Sequence, residues 1–460
     1  MKRREFLKSG LGVAVASAIS PSLLWADIIP DDKRVPLPLD EVTFDANLFA
    51  DNDAQTIIVF LSGGMSDVVG NMSHIPQIIR DDLSQRSYPE ALLTATTNGF
   101  WKEAGGEFLE QLLASGHLNL FRTCYQHDPI QAHGINQKRY MHGNGVGYDS
   151  GIVATLMHVL HRNGVIPEGA RLTNVAVDGG NVRLLQDFGT STPLPGYLRP
   201  ASFNRNFDNP YNYKRDERGQ VDLGDYSANE RFNGANFDTR LNALMQKHNH
   251  YDALSDVFNR RKEISDFIEQ VRNLTLPVDY PDTIDGRKFE TAMRILTNNP
   301  DTRVVSITAG HSGWDDHSDA IRLHQPRAYE LFEAIHTAMQ HADALGRENI
   351  NIVLFGDFGR NMNLNSSMGW DHGNNQVVYW FGGRTLFNRL GVVGETELHV
   401  WMRKGRLYSR PAPGSYQFPP YSIASTIYSL YGITNPEVLT GGSPVIGDGL
   451  TTPFLRSRVA

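Results

Sequence analysis

Cysteine is almost absent from this chain, since Cys124 is the only one among 460 residues. A single cysteine forms no internal disulfide and cannot supply the thiolates of an iron–sulfur cluster or a cysteine-rich zinc site. Any metal must therefore be held by histidine, carboxylate, amide or hydroxyl ligands. This ligand set points to zinc, calcium, magnesium or manganese.

Positive charge and long apolar runs are also scarce. The chain carries −8 at neutral pH, of which residues 1–26 contribute +3, so the remainder carries −11. This balance argues against sequence-independent binding of nucleic acid, which needs a basic face. After residue 26, no segment approaches the run of about 18 apolar residues that a membrane span requires. We therefore expect no stable span in the mature protein.

The first 26 residues have the pattern of a twin-arginine export signal. Arg3 and Arg4 precede an alanine-rich apolar run that ends at Ala26. We expect the twin-arginine translocase to carry the folded chain to the periplasm or the medium, with cleavage near Ala26. A small residue is usual where Leu24 stands, so a retained signal anchor is the alternative.

The remaining residues predict one domain. Residues 27–53 are rich in Asp and Pro and predict an extended lead-in, and 54–460 predict a single α/β domain. Alternating strand and helix patterns predict a mostly parallel central sheet flanked by helices. Between about 190 and 237 the composition shifts to Asn, Arg, Asp, Pro, Tyr and Gly. This segment predicts an irregular insertion that could serve as a lid or a partner surface.

Buried strands are predicted where apolar, β-branched runs end at turn-forming residues. These runs are Gln55 to Leu61, Leu118 to Arg122, Asn174 to Val177, Thr302 to Ile307, Ile352 to Phe355 and Val377 to Phe381, with an edge region at Leu398 to Leu407. The predicted helices are Glu107 to Ser115, Ile152 to Leu160, Thr239 to Lys247, Tyr251 to Leu274, Gly286 to Thr297, Arg327 to Leu345 and Tyr421 to Tyr431. The histidine-rich stretch 123–145 is predicted to be a loop.

Carboxylates and histidines collect in the loops that follow two of these strands. The stretch GHSGWDDHSD contains Asp315 and His317, and the stretch from 351 to 375 supplies Asp357, Asp371 and His372. Such side chains on a glycine-containing loop can converge on one cation. The alternatives are a helix cap beside a surface histidine, and chance clustering of charge ahead of a helix.

Three other positions are candidates for chemistry. Asp67 follows the first strand and either binds a metal or caps a turn. Ser150 precedes a helix and is either its N-cap or a nucleophile toward an ester whose charge the helix end stabilises. His133 lies in the loop after the second strand.

These motifs together resemble the domain of unknown function family 1501, a family of bacterial proteins exported by the twin-arginine route. The matching motifs are GG-x-S-D ending at Asp67, Arg122-Thr123 with His133 downstream, Ser150 before a helix, GWDDHS at 313–318, DFGR at 357–360 and WDHG at 370–373. The family is distantly similar to the alkaline phosphatase and sulfatase superfamily. That similarity implies an α/β sandwich with a metal-assisted hydrolase site at the carboxyl end of the sheet.

The resemblance also implies roles for individual residues. Ser150 would be the nucleophile, Arg360 would orient the anion, and His133 would belong to the same site. The implied metal ligands are Asp67, Asp315, His317, Asp371 and His372. Gly63 stands where the superfamily carries its first aspartate, so Asp67 would replace that ligand from another register.

The resemblance finally implies a class of reaction. The implied activity is metal-dependent hydrolysis of phosphate or sulfate esters, with an anionic ester as substrate. The alternative is a catalytically degenerate member that serves as a periplasmic binding or assembly protein for another exported protein.

Overall fold

The computed structural model describes residues 35–79, 88–89, 93–127, 132–179, 181–187, 193–207, 263–310, 313–401 and 405–458, together with Ala243 and Lys247. The predicted signal at 1–26 and most of the predicted helix Thr239 to Lys247 lie outside these residues. So does the greater part of the predicted insertion.

Eight strands of the described chain form one twisted sheet. They are β1 Gln55–Leu61, β2 Leu118–Tyr125, β3 Asn174–Val177, β4 Ala201–Phe203, β5 Val304–Thr308, β6 Ile350–Gly356, β7 Asn375–Gly382 and β8 Val392–Val393. Their order is β4-β3-β5-β1-β6-β7-β2-β8, and only β7 runs against the others. The prediction of a mostly parallel central sheet is confirmed.

Helices cover both faces of this sheet. The longer ones are α1 Gly106–Ala114, α2 His133–His142, α3 Ile152–Arg162, α4 Ile284–Asn298, α5 Ala320–Ala344 and α6 Ser422–Leu430. Shorter helices are Ala46–Ala50, Ile75–Ile78 and Glu437–Thr440, and residues 263–271 are also helical. A separate two-stranded ribbon pairs β9 Thr396–Trp401 with β10 Arg406–Pro411.

The central strands are buried because helices pack on both of their faces. In β1, Ile57 and Val59 join the core beneath α1, α4 and α5, whereas Ile58 and Phe60 join the core beneath α3 and α6. This alternation follows from the two-residue period of a strand. A strand covered on both sides needs apolar residues at every position, which is why β1 and β6 are recognisable in the sequence.

Helix α2 is the main element that the sequence did not predict. The stretch 123–145 was predicted to be a loop, but His133–His142 is helical. The buried face of α2 includes the polar Asn136 as well as Tyr140 and Met141. Without an apolar stripe, the segment lacks the periodicity by which an amphipathic helix is recognised.

Helix α5 begins seven residues before the predicted start at Arg327. Pro326, which directly precedes the predicted start, lies inside the helix. A proline in a helix removes one backbone hydrogen bond. Arg327 offsets this loss by donating hydrogen bonds to the carbonyl of Gly313 and, at 2.6 Å, to Asp316. These contacts fix the helix against the loop that precedes it.

Two segments predicted to be irregular contain short regular elements. Ala201–Phe203, inside the predicted insertion, forms β4 and pairs with β3 at the sheet edge. Ala46–Ala50, inside the predicted extended lead-in, forms a helical turn. Its first amides donate hydrogen bonds to the carboxylate of Asp45. Within the described residues, no helix combines the length and the apolar character needed to cross a membrane.

Candidate metal centre

The loops that carry the predicted site residues meet at one edge of the sheet. The carboxyl ends of β1, β2, β5 and β6 lie there, and so does the amino end of the antiparallel β7. Ligand sites in open α/β sheets form at this edge because the strands end there and the loops diverge. The side chains brought together are His133, Asp315, His317, Arg360, Asp371 and His372.

Four of these side chains form a compact ligand cluster, His133, Asp315, His317 and His372, whose ligand atoms all lie within 4.8 Å of one another. The Nε2 atoms of His317 and His372 are 3.0 Å apart. Oδ1 of Asp315 is 3.1 Å from Nε2 of His133 and 3.0 Å from Nε2 of His317. Ligand atoms around a tetrahedral zinc ion are about 3.3 Å apart. The cluster therefore has the dimensions of a four-ligand cation site.

The imidazole nitrogens of the cluster also suit a cation. Nε2 of His133 is buried and has no hydrogen-bond partner in the described part of the chain. The facing Nε2 atoms of His317 and His372 can share only one proton in a hydrogen bond. A cation held among them would satisfy all of these lone pairs at once.

Asp357 orients His133 from behind the cluster. Its carboxylate is fully buried, and its Oδ2 lies 2.6 Å from Nδ1 of His133. A carboxylate at that nitrogen keeps the proton on Nδ1 and leaves the Nε2 lone pair facing the cluster. Burial opposes protonation of His133, but the hydrogen bond and charge of Asp357 raise the pKa of the imidazole above its ordinary value.

Asp371 lies behind His317 and not among the four clustered ligand atoms. Its Oδ1 is 3.2 Å from Nδ1 of His317, and its Oδ2 is 2.9 Å from Nη2 of Arg406. Asp371 and His372, although adjacent in the sequence, therefore have different roles. His372 presents Nε2 to the cluster, whereas Asp371 supports a neighbouring imidazole.

The guanidinium of Arg360 forms its hydrogen bonds with other groups of the protein. It is almost fully buried and donates to Oδ1 of Asp315 at 2.7 Å and to the carbonyls of Gly63 and Trp314. Partial burial works to raise the pKa of Asp315, but Arg360 and the nearby His133 and His317 lower it below the ordinary value. The structure therefore places Arg360 as a support for Asp315.

A second hydrogen-bonded network holds the loop that carries Asp315 and His317. Between them, Asp316 is buried and accepts from Nη2 of Arg327 at 2.6 Å. Its other oxygen lies 2.7 Å from Nδ1 of His324, and both partners belong to α5. Because the side chain of Asp316 points inward, its two neighbours are presented on the opposite side.

Gly63 adopts a conformation that only glycine accommodates easily. Its φ is +107°, and a Cβ atom there would lie 2.3 Å from the backbone nitrogen of Asp315. An aspartate at position 63 would therefore collide with the loop that carries Asp315. The carboxylate of Asp357 accepts from the amide of Gly63 at 2.9 Å, so a carboxylate from the residue directly after β6 lies next to this position.

Two predicted site residues lie apart from the cluster. Asp67 is buried, accepts from Nδ2 of Asn375 at 3.0 Å, and has its pKa raised well above the ordinary range by burial. Ser150 is also fully buried, and its Oγ donates to the carbonyl of Gln186 at 3.4 Å. Gln186 lies beside His142, which ends α2, whereas His133 begins it. Because α2 is about 14 Å long, Ser150 lies near the end of the helix that is remote from the cluster.

The residues that support the cluster were harder to predict than its ligands. Asp357 contacts His133 directly, and Gln137 of α2 donates to Asp357 at 3.3 Å. Arg406 supports His317 only indirectly, through Asp371. The one local signal was the position of Asp357 directly after a buried strand. Arg406 comes from the β9–β10 ribbon and carries no local signal of its role.

A family model described as "Protein of unknown function (DUF1501)" matches residues 148–397, which is more than half of the chain. No curated protein matches the chain. The matched range contains Asp315, His317 and His372 but begins after His133.

Several solved structures are similar to this chain. One is the C-terminal periplasmic domain of EcEptC from Escherichia coli in complex with Zn, at 9% identity over 89% of this chain and 91% of that chain, with a TM-score of 0.35. The lipoteichoic acid synthase LtaP from Listeria monocytogenes is 10% identical over 88% and 80%, with a TM-score of 0.33. A protein in the alkaline phosphatase superfamily from Vibrio parahaemolyticus is 10% identical over 89% and 74%, with a TM-score of 0.35. Similarity at this level transfers no function, so the functional argument rests on the side chains of this chain.

Proposed function

Since the chain belongs to the DUF1501 family, whose description names no activity, we propose from its site that it is a metal-dependent hydrolase of phosphate or sulfate esters. The observation that carries this proposal is the convergence of His133, Asp315, His317 and His372 within 4.8 Å. Four ligand atoms from three separate segments of the chain do not converge by local sequence alone. Their position at the ligand-binding edge of the sheet supports a catalytic use.

The donor set favours zinc over the hard cations. Three of the four donors are imidazole nitrogens, whereas calcium and magnesium prefer oxygen ligands. Of the metals that the composition allowed, zinc best suits three histidines and one carboxylate. A bound zinc ion would polarise the ester and lower the pKa of water.

The chain's own residues would hold and orient the reacting groups. His133 and His317 are kept in the metal-binding tautomer by Asp357 and Asp371. The side chain of Asp315 is 46% exposed and can accept a hydrogen bond from an attacking water. Ser150 has no part in this proposal, because its hydroxyl is buried away from the cluster.

Metal content and ester turnover test the proposal together. Purified protein loaded with zinc should retain about one ion per chain and should hydrolyse 4-nitrophenyl phosphate or its sulfate analogue. His372→Ala should lower both zinc content and turnover at least about tenfold. His161→Ala, which changes an exposed histidine on α3, is the matched control and should alter neither. Protein that binds no zinc on titration would overturn the proposal.

One observation favours a second function, in which the protein binds a cation without turnover. Four protein ligands complete a tetrahedral sphere, as in structural zinc sites, whereas catalytic sites usually keep one position open. In this case the chain would serve as a binding or assembly protein for another exported component. Stoichiometric zinc binding, with no hydrolysis of either ester, would support this function over the first.

A further inference from the structure

A cavity of about 420 Å³ opens at the amino end of α5. Its apolar lining comes from Pro89, Ile321, Pro326 and Met368, with Gln325 on the same side of the helix. A volume of this size lies within the range of small-molecule sites, which are mostly apolar with a few polar groups.

The charged groups of the cavity are paired with each other. Nε of Arg322 lies 2.5 Å from Oδ2 of Asp319, and both residues line the cavity. Because this pair is internally neutralised, the lining presents no uncompensated charge. The cavity therefore suits an apolar group better than an anion or a cation.

The cavity wall is hydrogen-bonded to the loop that carries His317 of the metal centre. Ser318, the neighbour of His317, forms a backbone bridge with Met368, and the amide of Ala320 donates to the Met368 carbonyl at 2.7 Å. Nδ2 of Asn365 also donates to the carbonyl of His317 at 3.1 Å. One hydrogen-bonded unit thus forms the cavity wall and holds His317.

We propose that this cavity binds the apolar alcohol portion of the ester whose anionic group reaches the metal centre. This inference rests on the proposed function and narrows its substrate to esters with a bulky apolar group.

Filling the cavity tests the inference. Gln325→Trp places an indole at a partly exposed position that lines the cavity. Gln340→Trp makes the same change at an exposed position of α5 outside the cavity lining and is the matched control. Zinc-loaded protein is tested with 2-(1-naphthyl)ethyl phosphate and ethyl phosphate, which both release a primary alcohol. Metal-free protein is tested with 1-naphthylmethylphosphonate.

The wild-type chain should prefer the naphthylethyl ester over ethyl phosphate by about tenfold or more in kcat/KM. Gln325→Trp should reduce that preference at least about fivefold through KM, leave ethyl phosphate unchanged, and weaken calorimetric binding of the phosphonate similarly. Gln340→Trp should match the wild type.

The inference is overturned if Gln325→Trp leaves the preference and the phosphonate binding unchanged, or if it affects both esters equally. Turnover of neither ester by the wild-type protein would instead contradict the proposed hydrolase function. In that case, phosphonate binding that resists Gln325→Trp would reject the cavity as well.

Discussion

Asp357 is the buried side chain that decides which nitrogen of His133 faces the metal centre. It accepts from the amide of Gly63 and lies 2.6 Å from Nδ1 of His133. Asp371 plays the same part for His317, although it is more exposed. At the scale of single residues, the cluster therefore consists of ligands and of carboxylates that fix ligand tautomers.

We predict that Asp357→Asn weakens zinc affinity by about 10- to 100-fold while the chain stays folded. The asparagine keeps an oxygen for the amide of Gly63 but loses the charge that holds the proton on Nδ1 of His133. Competition with a chromogenic chelator measures the affinity, and circular dichroism checks the fold.

The matched control is Asp343→Asn, which alters another aspartate paired with a histidine. Oδ2 of Asp343 lies 2.8 Å from Nε2 of His117, near the carboxyl end of α5 and away from the cluster. This variant should bind zinc as the wild type does. Equal affinities for Asp357→Asn and the wild-type chain would show that Asp357 does not support the site.

Helix α2 links the metal centre to the core at the scale of secondary-structure elements. Its first residue, His133, reaches the cluster, and its last residue, His142, is buried against the segment that holds Gln186. A helix is stiff along its axis, so the packing of one end fixes the position of the other. The packing of the polar buried face of α2 therefore helps to position His133 in the cluster.

We predict that His142 makes the folded state less stable in acid. Burial lowers its pKa to about 4, whereas an unfolded histidine titrates near 6.5. As the pH falls below about 6.5, the unfolded chain therefore binds a proton that the folded chain does not. The resulting loss of stability should be on the order of 2–3 kcal/mol by pH 4.

Urea denaturation at pH 7 and pH 4.5 measures this effect. His142→Gln should flatten the pH dependence, because glutamine does not titrate in this range. His161→Gln, at an exposed site on α3, should keep the wild-type dependence. If the free energy of unfolding of His142→Gln still falls with pH as it does in the wild type, the acid sensitivity belongs to other groups.

At the scale of the whole molecule, the export that we propose would decide where any hydrolase activity operates. The twin-arginine pattern at Arg3 and Arg4 lies outside the described residues, so we propose export on the sequence alone. Removal of residues 1–26 would change the net charge of the chain from −8 to −11.

We predict that the double variant Arg3→Lys, Arg4→Lys remains in the cytoplasm at full length. The wild-type chain should appear in the periplasmic or secreted fraction, shortened by about 26 residues. Lys8→Arg keeps both arginines and the net charge, so it should be exported normally. Fractionation and mass spectrometry measure both results, and export of the double variant would contradict the prediction.

The sequence by itself determined the strands that build the sheet and most of the residues that form the cluster. Strands such as β1 and β6 are apolar throughout because both of their faces are covered, and that requirement is visible in a local window. Asp315, His317 and His372 were recognisable for a similar reason, since they follow or precede such strands in short loops. Family membership was also predicted from these motifs and is confirmed.

Only the tertiary structure decided which candidates meet. His133 reaches the cluster because α2 forms without an apolar stripe, whereas Ser150 and Asp67 are buried elsewhere. Asp371 lies behind His317 because Arg406 of the ribbon holds its other oxygen. These outcomes depend on contacts between distant segments, and local periodicity carries no information about such contacts.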